Sequence, residues 1–185
     1  MAEIAIVGDG PGGLSAALFL ARSENSVTVY GIDATVMHYA FLNNYLGIEA
    51  ISGTDFQTAA RNQVEQAGAA LSSEEVTAVS VNDGSITLTT ESGDAEVDFL
   101  ILSEGKQMPM AKSLGIQVTA GEDDLVPVDS NGKTAIDHVY VVGRSARPSR
   151  SQAIISAGDG AAAALDILSE IEGNDVQDWD SPPKD

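Results

Sequence analysis

The first thirty residues contain a long apolar run with one shorter apolar run on each side of it. Glu3 to Val7 is a β-branched run that leads into glycines, and Leu14 to Ser23 has apolar residues on nearly every face. Ser26 to Tyr30 is a second short apolar run. This order predicts a strand, a tight turn, a buried helix and a second strand. The handedness of such connections makes the two strands parallel, so the predicted fold class is α/β.

A long irregular stretch separates this βαβ unit from the next predicted helix. Residues 31–53 show no clear periodicity, and irregular stretches of this length in a compact domain are usually functional. Thr54 and Gln57 then stand at capping-box spacing. They predict the start of a helix that ends at Gly68.

In the middle of the chain, apolar residues recur at every second position. Alternating runs cover residues 74–81, 85–90 and 95–103, with turn residues between them. They predict an antiparallel β-meander whose last strand continues into an apolar core strand, Phe99 to Leu102. The expected architecture is therefore a central parallel sheet with helices, joined to an antiparallel meander.

The last third of the chain returns to buried strand and helix patterns. A short strand is predicted near Leu125 to Val128, and a core strand over residues 138–142. A helix is predicted from Ala153 to Ile171, with its end at Gly173. Residues 1–172 are expected to form one domain, and the acidic, proline-containing residues 173–185 a mobile tail.

Charge and composition narrow the partners and the chemistry. The chain has 28 acidic and 9 basic residues and a formal net charge of −19. Acids spread over every segment indicate adaptation to high salt, with an acidic mesophilic protein as the alternative. A nucleic-acid partner is not expected, because phosphate neutralisation needs a basic face. The absence of cysteine excludes a disulfide framework and thiol redox chemistry on this chain.

No stretch of the sequence has the length and composition of a membrane span or of a leader segment. We therefore expect a soluble, cytoplasmic protein. Paired acids such as Glu74 with Glu75, and Asp94 with Glu96, have no His or Cys neighbour in the sequence. They are interpreted as solvated surface, and metal binding is not predicted.

The candidate chemistry begins in the glycine-rich turn after the first strand. In the GxGxxG pattern Gly8 forms the turn, Gly10 admits a diphosphate and Gly13 permits close helix packing. Asp33 follows Gly13 by twenty residues, near the place of a ribose-binding carboxylate. Dinucleotide binding is therefore predicted. A second glycine-rich match, residues 158–163, lies within the last predicted helix and is interpreted as small residues for close packing.

The β-meander is typical of FAD domains, whereas nicotinamide domains usually continue as repeated βαβ units. At this point the residues resemble the FAD domain of thioredoxin reductase-like flavoproteins, over about residues 2–172. The stretches that carry the resemblance are IVGDGPGGLSAALFLAR, NNYLGI, FLILSEG and VYVVGRSARPSRSQAIISAGDGAAAALDIL. Homodimerisation is implied by the same resemblance.

The resemblance implies a set of FAD contacts. The FAD diphosphate would be bound by the residues of the glycine-rich turn, which are Gly8, Gly10, Pro11, Gly12 and Gly13. Asp33 would bind the adenosine ribose, and the backbone of Val76 the adenine. The remaining implied contacts are Asn44, Gly105, Gly143, Gln152 and Ala153. A helix that begins near Ala153 would direct N–H groups at the pyrimidine edge of the flavin, where negative charge develops on reduction, unless it only packs.

The chain also departs from that family. The two halves of the FAD domain, residues 1–112 and 113–172, follow one another without the family's NADPH-binding insert and its cysteine pair. Arg144 follows Gly143 where the family has an aspartate. Three roles are open for Arg144, which are a phosphate contact, a contact to a partner's carboxylates, and a solvated surface position. His38 is a candidate proton donor or an exposed loop residue.

Two functions from different classes remain. The first is an FAD-dependent oxidoreductase without thiol–disulfide activity, fed by a separate electron-donor protein or a small-molecule substrate. The second is a non-catalytic flavin- or nucleotide-binding module with an oligomerising or regulatory role. A minor alternative replaces FAD by NAD or ADP. The sequence alone identifies neither the substrate nor the electron donor, and it does not show whether the chain turns over.

Overall fold

Within residues 1–119 and 124–177, which this computed structural model describes, the chain forms ten β-strands and four α-helices. The strands are β1 (Glu3–Val7), β2 (Ser26–Tyr30), β3 (Phe41–Leu42), β4 (Ile51–Ser52), β5 (Ala70–Ser72), β6 (Val76–Asn82), β7 (Ser85–Thr90), β8 (Gly93–Val97), β9 (Phe99–Leu102) and β10 (Val139–Val141). The helices are α1 (Pro11–Ala21), α2 (Gly53–Gln66), α3 (Pro109–Ser113) and α4 (Ala153–Glu172).

The central sheet is parallel, with the strand order β10-β9-β1-β2-β5. The pairing of β1 with β2 confirms the predicted βαβ unit. The chain leaves β1 toward β2, and it later places β9 on the other side of β1. The strand order therefore reverses beside β1. In open α/β sheets such a reversal opens a crevice at the carboxyl ends of the strands.

Alternation along the central strands builds a core on both faces of this sheet. Ile4 and Ile6 of β1 pack in a core that also contains buried residues of α1 and α4. Ala5, between them, packs on the opposite face with Leu100 and Leu102 of β9. Successive side chains of a strand point to opposite faces, so one apolar run serves two layers.

The second face is covered by the antiparallel sheet β6-β7-β8, which confirms the predicted meander. Its last strand does not continue directly into the core strand. Asp98 separates β8 from β9, its backbone N–H donates to Glu3 O at 2.8 Å, and its Oδ2 accepts from Glu3 N at 2.8 Å. The chain thus changes sheets at one residue that is hydrogen-bonded to the start of β1.

The start of α2 corrects the predicted cap. Ser52 is the N-cap, and its Oγ accepts from Asp55 N at 3.1 Å and donates to Asp55 Oδ2 at 2.7 Å. Thr54 therefore lies inside the helix. Gln57, the other half of the predicted capping box, is fully buried and donates from Nε2 to Asp9 O at 2.6 Å.

Short elements are the other differences from the prediction. Strand β5 and helix α3 were not predicted, because runs of three and five residues carry little periodicity. The predicted strand near Leu125 to Val128 was wrong. Leu125 forms only an isolated bridge with Thr119, and the N–H of Val126 donates to Ser145 O at 2.9 Å.

Helix α4 confirms two predictions from the sequence. It ends at Gly173, whose φ of +70° is the left-handed conformation that favours glycine. A Cβ at Gly160 would stand well inside 3.0 Å of Gly12 O, so the second glycine-rich match does serve close packing of α4 on α1. Most of the predicted tail, residues 178–185, lies outside the described residues. Over residues 1–119 and 124–177, no helix combines the length with the apolar content needed to cross a bilayer.

Candidate functional site

A cleft of about 430 Å³ lies at the carboxyl ends of β1, β9 and β10, where the strand order reverses. Three loops line it, and each follows one of these strands. The loops are residues 8–12, residues 103–107 and residues 143–144. The segment 34–37 and the start of α4 complete the lining. Position and volume are those of a nucleotide or cofactor site in an α/β fold.

Two glycines of the GxGxxG pattern are enclosed by neighbouring backbone, and the third borders the cleft. Gly8 has φ +105°, and a Cβ there would stand well inside 3.0 Å of Ser103 O. A Cβ at Gly13 would collide in the same way with Gly8 O. At Gly10 the nearest heavy atom of the described residues would be Thr35 Oγ1, at 3.7 Å. Gly8 and Gly13 are therefore fixed by backbone packing, whereas Gly10 borders open space in the cleft.

Two helices begin at the cleft without a hydrogen bond from their N-cap side chains. Gly10 is the N-cap of α1 and Gln152 the N-cap of α4, and neither helix receives a capping hydrogen bond from the N-cap side chain in the described structure. The first backbone N–H groups of a helix have no partner within the helix, and together with the helix dipole they attract anions. Pro11 and Ala153, the first residues of the two helices, both line the cleft.

Arg144 adds a positive charge between these helix starts. It lies in a 3₁₀ helix, Gly143–Ser145, and lines the cleft together with Lys106. Its Nε is buried and has no hydrogen-bond partner among the described residues. A buried donor without a partner costs about 1–3 kcal/mol, so this side of the cleft suits an anionic or hydrogen-bond-accepting ligand.

Glu104 is a cleft residue that sequence reasoning missed. Its Oε1 accepts from Met110 N at 2.7 Å and its Oε2 from Ala111 N at 3.0 Å. Burial raises the pKa of this carboxyl although both hydrogen bonds act to lower it. A sequence signal existed, since Glu104 is the second residue after the core strand β9. Among the described residues no three His, Asp or Glu side chains gather as a metal site.

Asp9, the second residue of the glycine loop, was also missed. It is 5% exposed and lines the cleft. Its Oδ2 accepts from Asp33 N at 2.9 Å and forms an ion pair with Arg61 of α2. Arg61 is fifty-two positions away in the chain, so the pairing has no local signal in the sequence.

His38 and Asp33 are brought together next to the cleft but are absent from the residues that line it. Nε2 of His38 lies 3.0 Å from Asp33 O and 3.2 Å from Asp33 Oδ1, and Nδ1 lies 3.1 Å from Thr54 Oγ1. Both ring nitrogens are therefore engaged within the chain. Asp33 has φ +57°, and its backbone N–H is held by Asp9.

The other predicted contacts divide between the cleft and its surroundings. Gly105 and Gly143 line the cleft, whereas Val76 is buried in the core beside β9. Asn44 and Gln152 are exposed and joined to each other, with Asn44 Nδ2 donating to Gln152 Oε1 at 3.0 Å. That bond ties the segment after β3 to the N-cap of α4.

An apolar surface adjoins the cleft. The segment 31–51 carries six exposed large apolar side chains, which are Ile32, Val36, Tyr39, Phe41, Leu46 and Ile48. Tyr39 is 93% and Leu46 88% exposed. Beside this segment, a groove of about 240 Å³ runs between α1 and α2 and is lined largely by apolar residues. Exposed apolar side chains concentrated in one segment are typical of interaction sites.

Solved structures with this fold are thioredoxin reductases and related proteins. An atypical thioredoxin reductase from Desulfovibrio vulgaris Hildenborough matches with a TM-score of 0.84 and 18% identity, over 94% of this chain and 99% of that chain. A thioredoxin reductase from Gloeobacter violaceus matches with 0.84 and 16%, over 97% and 99%. A ferredoxin-flavin thioredoxin reductase from Clostridium acetobutylicum matches with 0.78 and 16%, over 94% and 99%. Comparison with protein-family models and with curated proteins gave no match.

These similarities show the fold. The chain has the Rossmann-type α/β fold of thioredoxin reductase-like FAD-binding proteins, with a central parallel sheet, helices and an antiparallel sheet. At identities below one fifth the activity does not follow from the likeness. Function has to come from the cleft and its residues.

Proposed function

We propose that the chain binds FAD in this cleft and is an oxidoreductase that receives its electrons from a separate donor. The observation that carries the proposal is the cleft at the strand reversal, with two helix starts that receive no hydrogen bond from their N-cap side chains and with Arg144 Nε unpartnered among the described residues. These groups suit the two phosphates and the electron-poor ring system of a flavin dinucleotide.

Different residues of the chain would bind different parts of such a cofactor. The glycine loop and the first turn of α1 would bind the diphosphate through backbone N–H groups, with open space at Gly10. Arg144 and Lys106 would add positive charge. Gly143 and the start of α4 at Ala153 would face the flavin end, where helix N–H groups stabilise negative charge.

FAD, when bound, supplies hydride and single-electron transfer. The chain has no cysteine, so electrons cannot pass to a dithiol on this chain. A separate donor is supported by one neighbour in fold, which is named as a ferredoxin-flavin thioredoxin reductase. A small-molecule substrate that reaches the cleft is the other source.

One observation favours the second candidate, a flavin-binding module without turnover. Both ring nitrogens of His38 lie within hydrogen-bond distance of Asp33 or Thr54, so the predicted proton donor is engaged. Two carboxyl groups line the cleft, of which Asp9 is paired with Arg61 and Glu104 has a pKa that burial raises. Turnover with proton transfer would therefore depend on Glu104 or on solvent.

The apolar surface on segment 31–51 supports the homodimer in this proposal. A chain with net charge −19 repels its copies over most of its surface, and exposed apolar side chains such as Tyr39 and Leu46 favour contact where they cluster. Light scattering of the purified chain, compared with a variant carrying Tyr39→Ser and Leu46→Ser, reports the oligomeric state.

The binding experiment compares two glycine substitutions. Wild-type chain is reconstituted with FAD, and bound flavin is read from its absorbance band after gel filtration. Gly10→Val, whose side chain would enter the cleft, should abolish retention of flavin. Gly158→Ala, on an exposed face of α4 where a methyl meets no described heavy atom within 4 Å, should retain it. A wild-type chain that retains no flavin overturns the FAD proposal and leaves NAD or ADP as the ligand.

The turnover experiment follows with the flavin-loaded chain. Under anaerobic conditions it is mixed separately with NADH, NADPH and a low-potential chemical donor, and bleaching of the flavin band is followed. Reduction by the chemical donor alone supports a flavoprotein that is fed by a partner. A flavin that no donor bleaches supports the non-catalytic module instead.

A further inference from the structure

The glycine loop carries a carboxylate that the proposed FAD site does not yet use. Asp9 stands between Gly8 and Gly10, where the backbone approaches the ligand, and it lines the cleft. Its side chain is only 7% exposed. A buried carboxylate beside a site for phosphates is unfavourable unless something neutralises it.

Arg61 supplies that neutralisation from α2. Its Nη1 pairs with Asp9 Oδ2, and its side chain is 23% exposed. The N–H of Asp33 donates to the same oxygen at 2.9 Å, and Gln57 Nε2 donates to the backbone oxygen of Asp9 at 2.6 Å. Asp9 is therefore fixed by contacts from α2 and from the segment after β2.

The space for the Asp9 carboxylate is provided by a glycine at the end of β2. Gly31 directly follows β2, and a Cβ there would stand well inside 3.0 Å of Asp9 Cγ and Oδ2. A dinucleotide-binding fold places the carboxylate that binds ribose near the end of the second strand. In this chain that space holds a carboxylate from the glycine loop instead.

Asp33, which the sequence predicts to bind the ribose, makes other contacts in the structure. Its carboxylate lies 3.2 Å from His38 Nε2, and Asp33 is absent from the residues that line the cleft. Asp33 contributes its backbone N–H to Asp9, so it positions the residue that lines the cleft.

We propose that Asp9 is the residue that selects a nucleotide with an unmodified adenosine ribose, and that Arg61 is the cation that holds the Asp9 side chain in place. A carboxylate accepts hydrogen bonds from ribose hydroxyls and repels a phosphate on the ribose, whereas an arginine at the same place accepts that phosphate. The Asp9–Arg61 pair contains both groups, and Asp9 is the one of the two that lines the cleft. This inference rests on the proposed dinucleotide site.

The test uses two probes that differ only at the ribose, ADP-ribose and its 2′-phosphate, titrated calorimetrically into the whole chain. Wild type should bind ADP-ribose about 100-fold more tightly, because the phosphate would meet an ionised carboxylate. Asp9→Ser removes the carboxylate and leaves Arg61, so the preference should fall to about 10-fold or less and the phosphorylated probe should gain affinity. Asp9→Asn keeps the shape of the side chain and should also narrow the preference.

Two controls separate selection from a purely structural role. Asp33→Asn should leave the preference within about 3-fold of wild type, since this carboxylate faces His38. Arg61→Gln added to Asp9→Ser should cancel the gained affinity for the phosphorylated probe. Thermal melts of each variant show which chains are folded, and Asp9→Asn carries the test if Asp9→Ser does not fold.

Four outcomes overturn parts of this account in distinguishable ways. A preference that survives both Asp9 substitutions overturns the role of Asp9. A preference that disappears on Asp33→Asn returns the role to Asp33. A wild-type chain that binds FAD but shows no preference between the probes overturns selection alone, whereas a chain that binds neither probe nor FAD overturns the proposed function as well.

Discussion

The two ends of the cleft are built in opposite ways. At the glycine loop, Gly13 N donates to Ser103 Oγ at 3.1 Å, and Asp9 is paired with Arg61. At the other end Arg144 Nε is buried without a partner in the described structure, beside the start of α4. Gly13 N and the Asp9 carboxylate at the first end have partners within the chain, whereas the second end leaves the buried Arg144 Nε without a partner among the described residues.

This difference separates residues that serve the fold from residues that serve a ligand. A group whose partners are all inside the chain contributes to folding, and its loss is seen in stability. A buried donor without a partner costs stability and is retained where a ligand completes it. Substitutions at the two ends should therefore be detected by different measurements.

The largest effect is expected at the closed end, for Gly13→Ala. The added methyl would collide with the backbone oxygen of Gly8, and neither backbone segment can turn away as a side chain can. We expect a loss of more than about 3 kcal/mol in the free energy of unfolding, measured by urea denaturation.

The matched control is the same change in open space. Gly158→Ala, in the exposed part of α4, should raise the free energy of unfolding by about 0.5–1 kcal/mol, because alanine has the higher helix propensity. If Gly13→Ala were as stable as Gly158→Ala, the glycine loop would be adaptable and the contrast between the two ends would be lost.

At the open end, Arg144→Gln should lower ligand affinity without lowering stability. The variant removes a buried donor that has no partner among the described residues, so the free energy of unfolding without ligand should not fall and should rise slightly. FAD affinity should fall about 10-fold through loss of a charge-assisted hydrogen bond, and its dependence on salt should weaken. Arg144→Asp should weaken binding further.

Arg150→Gln provides the comparison for this variant. The Arg150 side chain is exposed, and within the described residues its hydrogen bond goes to the neighbouring Ser149 O, at 3.0 Å, so its removal should leave FAD affinity unchanged. Equal losses for both arginines would indicate a general charge effect. Unchanged or tighter binding by Arg144→Asp would show that Arg144 does not contact the cofactor.

The same contrast explains what the sequence could predict. The βαβ unit follows from local period, as do β7 and the end of α4 at Gly173, so these were predicted from the printed residues alone. Gly8 and Gly13 were assigned for the same reason, since a strand before the loop and a helix after it fix the backbone. Arg144 was noticed because it departs from the family that the chain resembles.

What the sequence could not predict depends on contacts between distant residues. Asp9 and Arg61 are fifty-two positions apart, and Gln57 reaches Asp9 across forty-eight. No pattern within a window of ten or twenty residues signals such pairs. Gln57 even suggested a different role, because its spacing from Thr54 matches a capping box that Ser52 provides instead.

The smallest effect is expected at the far end of α4, where charges have partners but remain in contact with solvent. Glu170 is bonded to Lys133 Nζ and to His138 Nε2, each at 2.8 Å, and its side chain is 34% exposed. The hydrogen bond from Lys133 holds the pKa of Glu170 below its ordinary value of 4.5, with the charges of Lys133 and His138 acting in the same direction. A carboxyl whose pKa is lower in the folded state contributes stability above its unfolded pKa and loses that contribution as the pH falls through the folded pKa.

Glu170→Gln should therefore lower stability slightly at neutral pH, by less than about 1 kcal/mol for a pair this exposed, and should flatten the acid limb of the stability curve below pH 4.5. Urea denaturation at pH 7, 5, 4 and 3 measures both effects, with the exposed Glu172→Gln on the same helix as control. If Glu170→Gln costs more than Gly13→Ala, then a solvent-screened pair outweighs backbone packing. Charge pairing, and not close backbone contact, would then identify the residues that stabilise the fold.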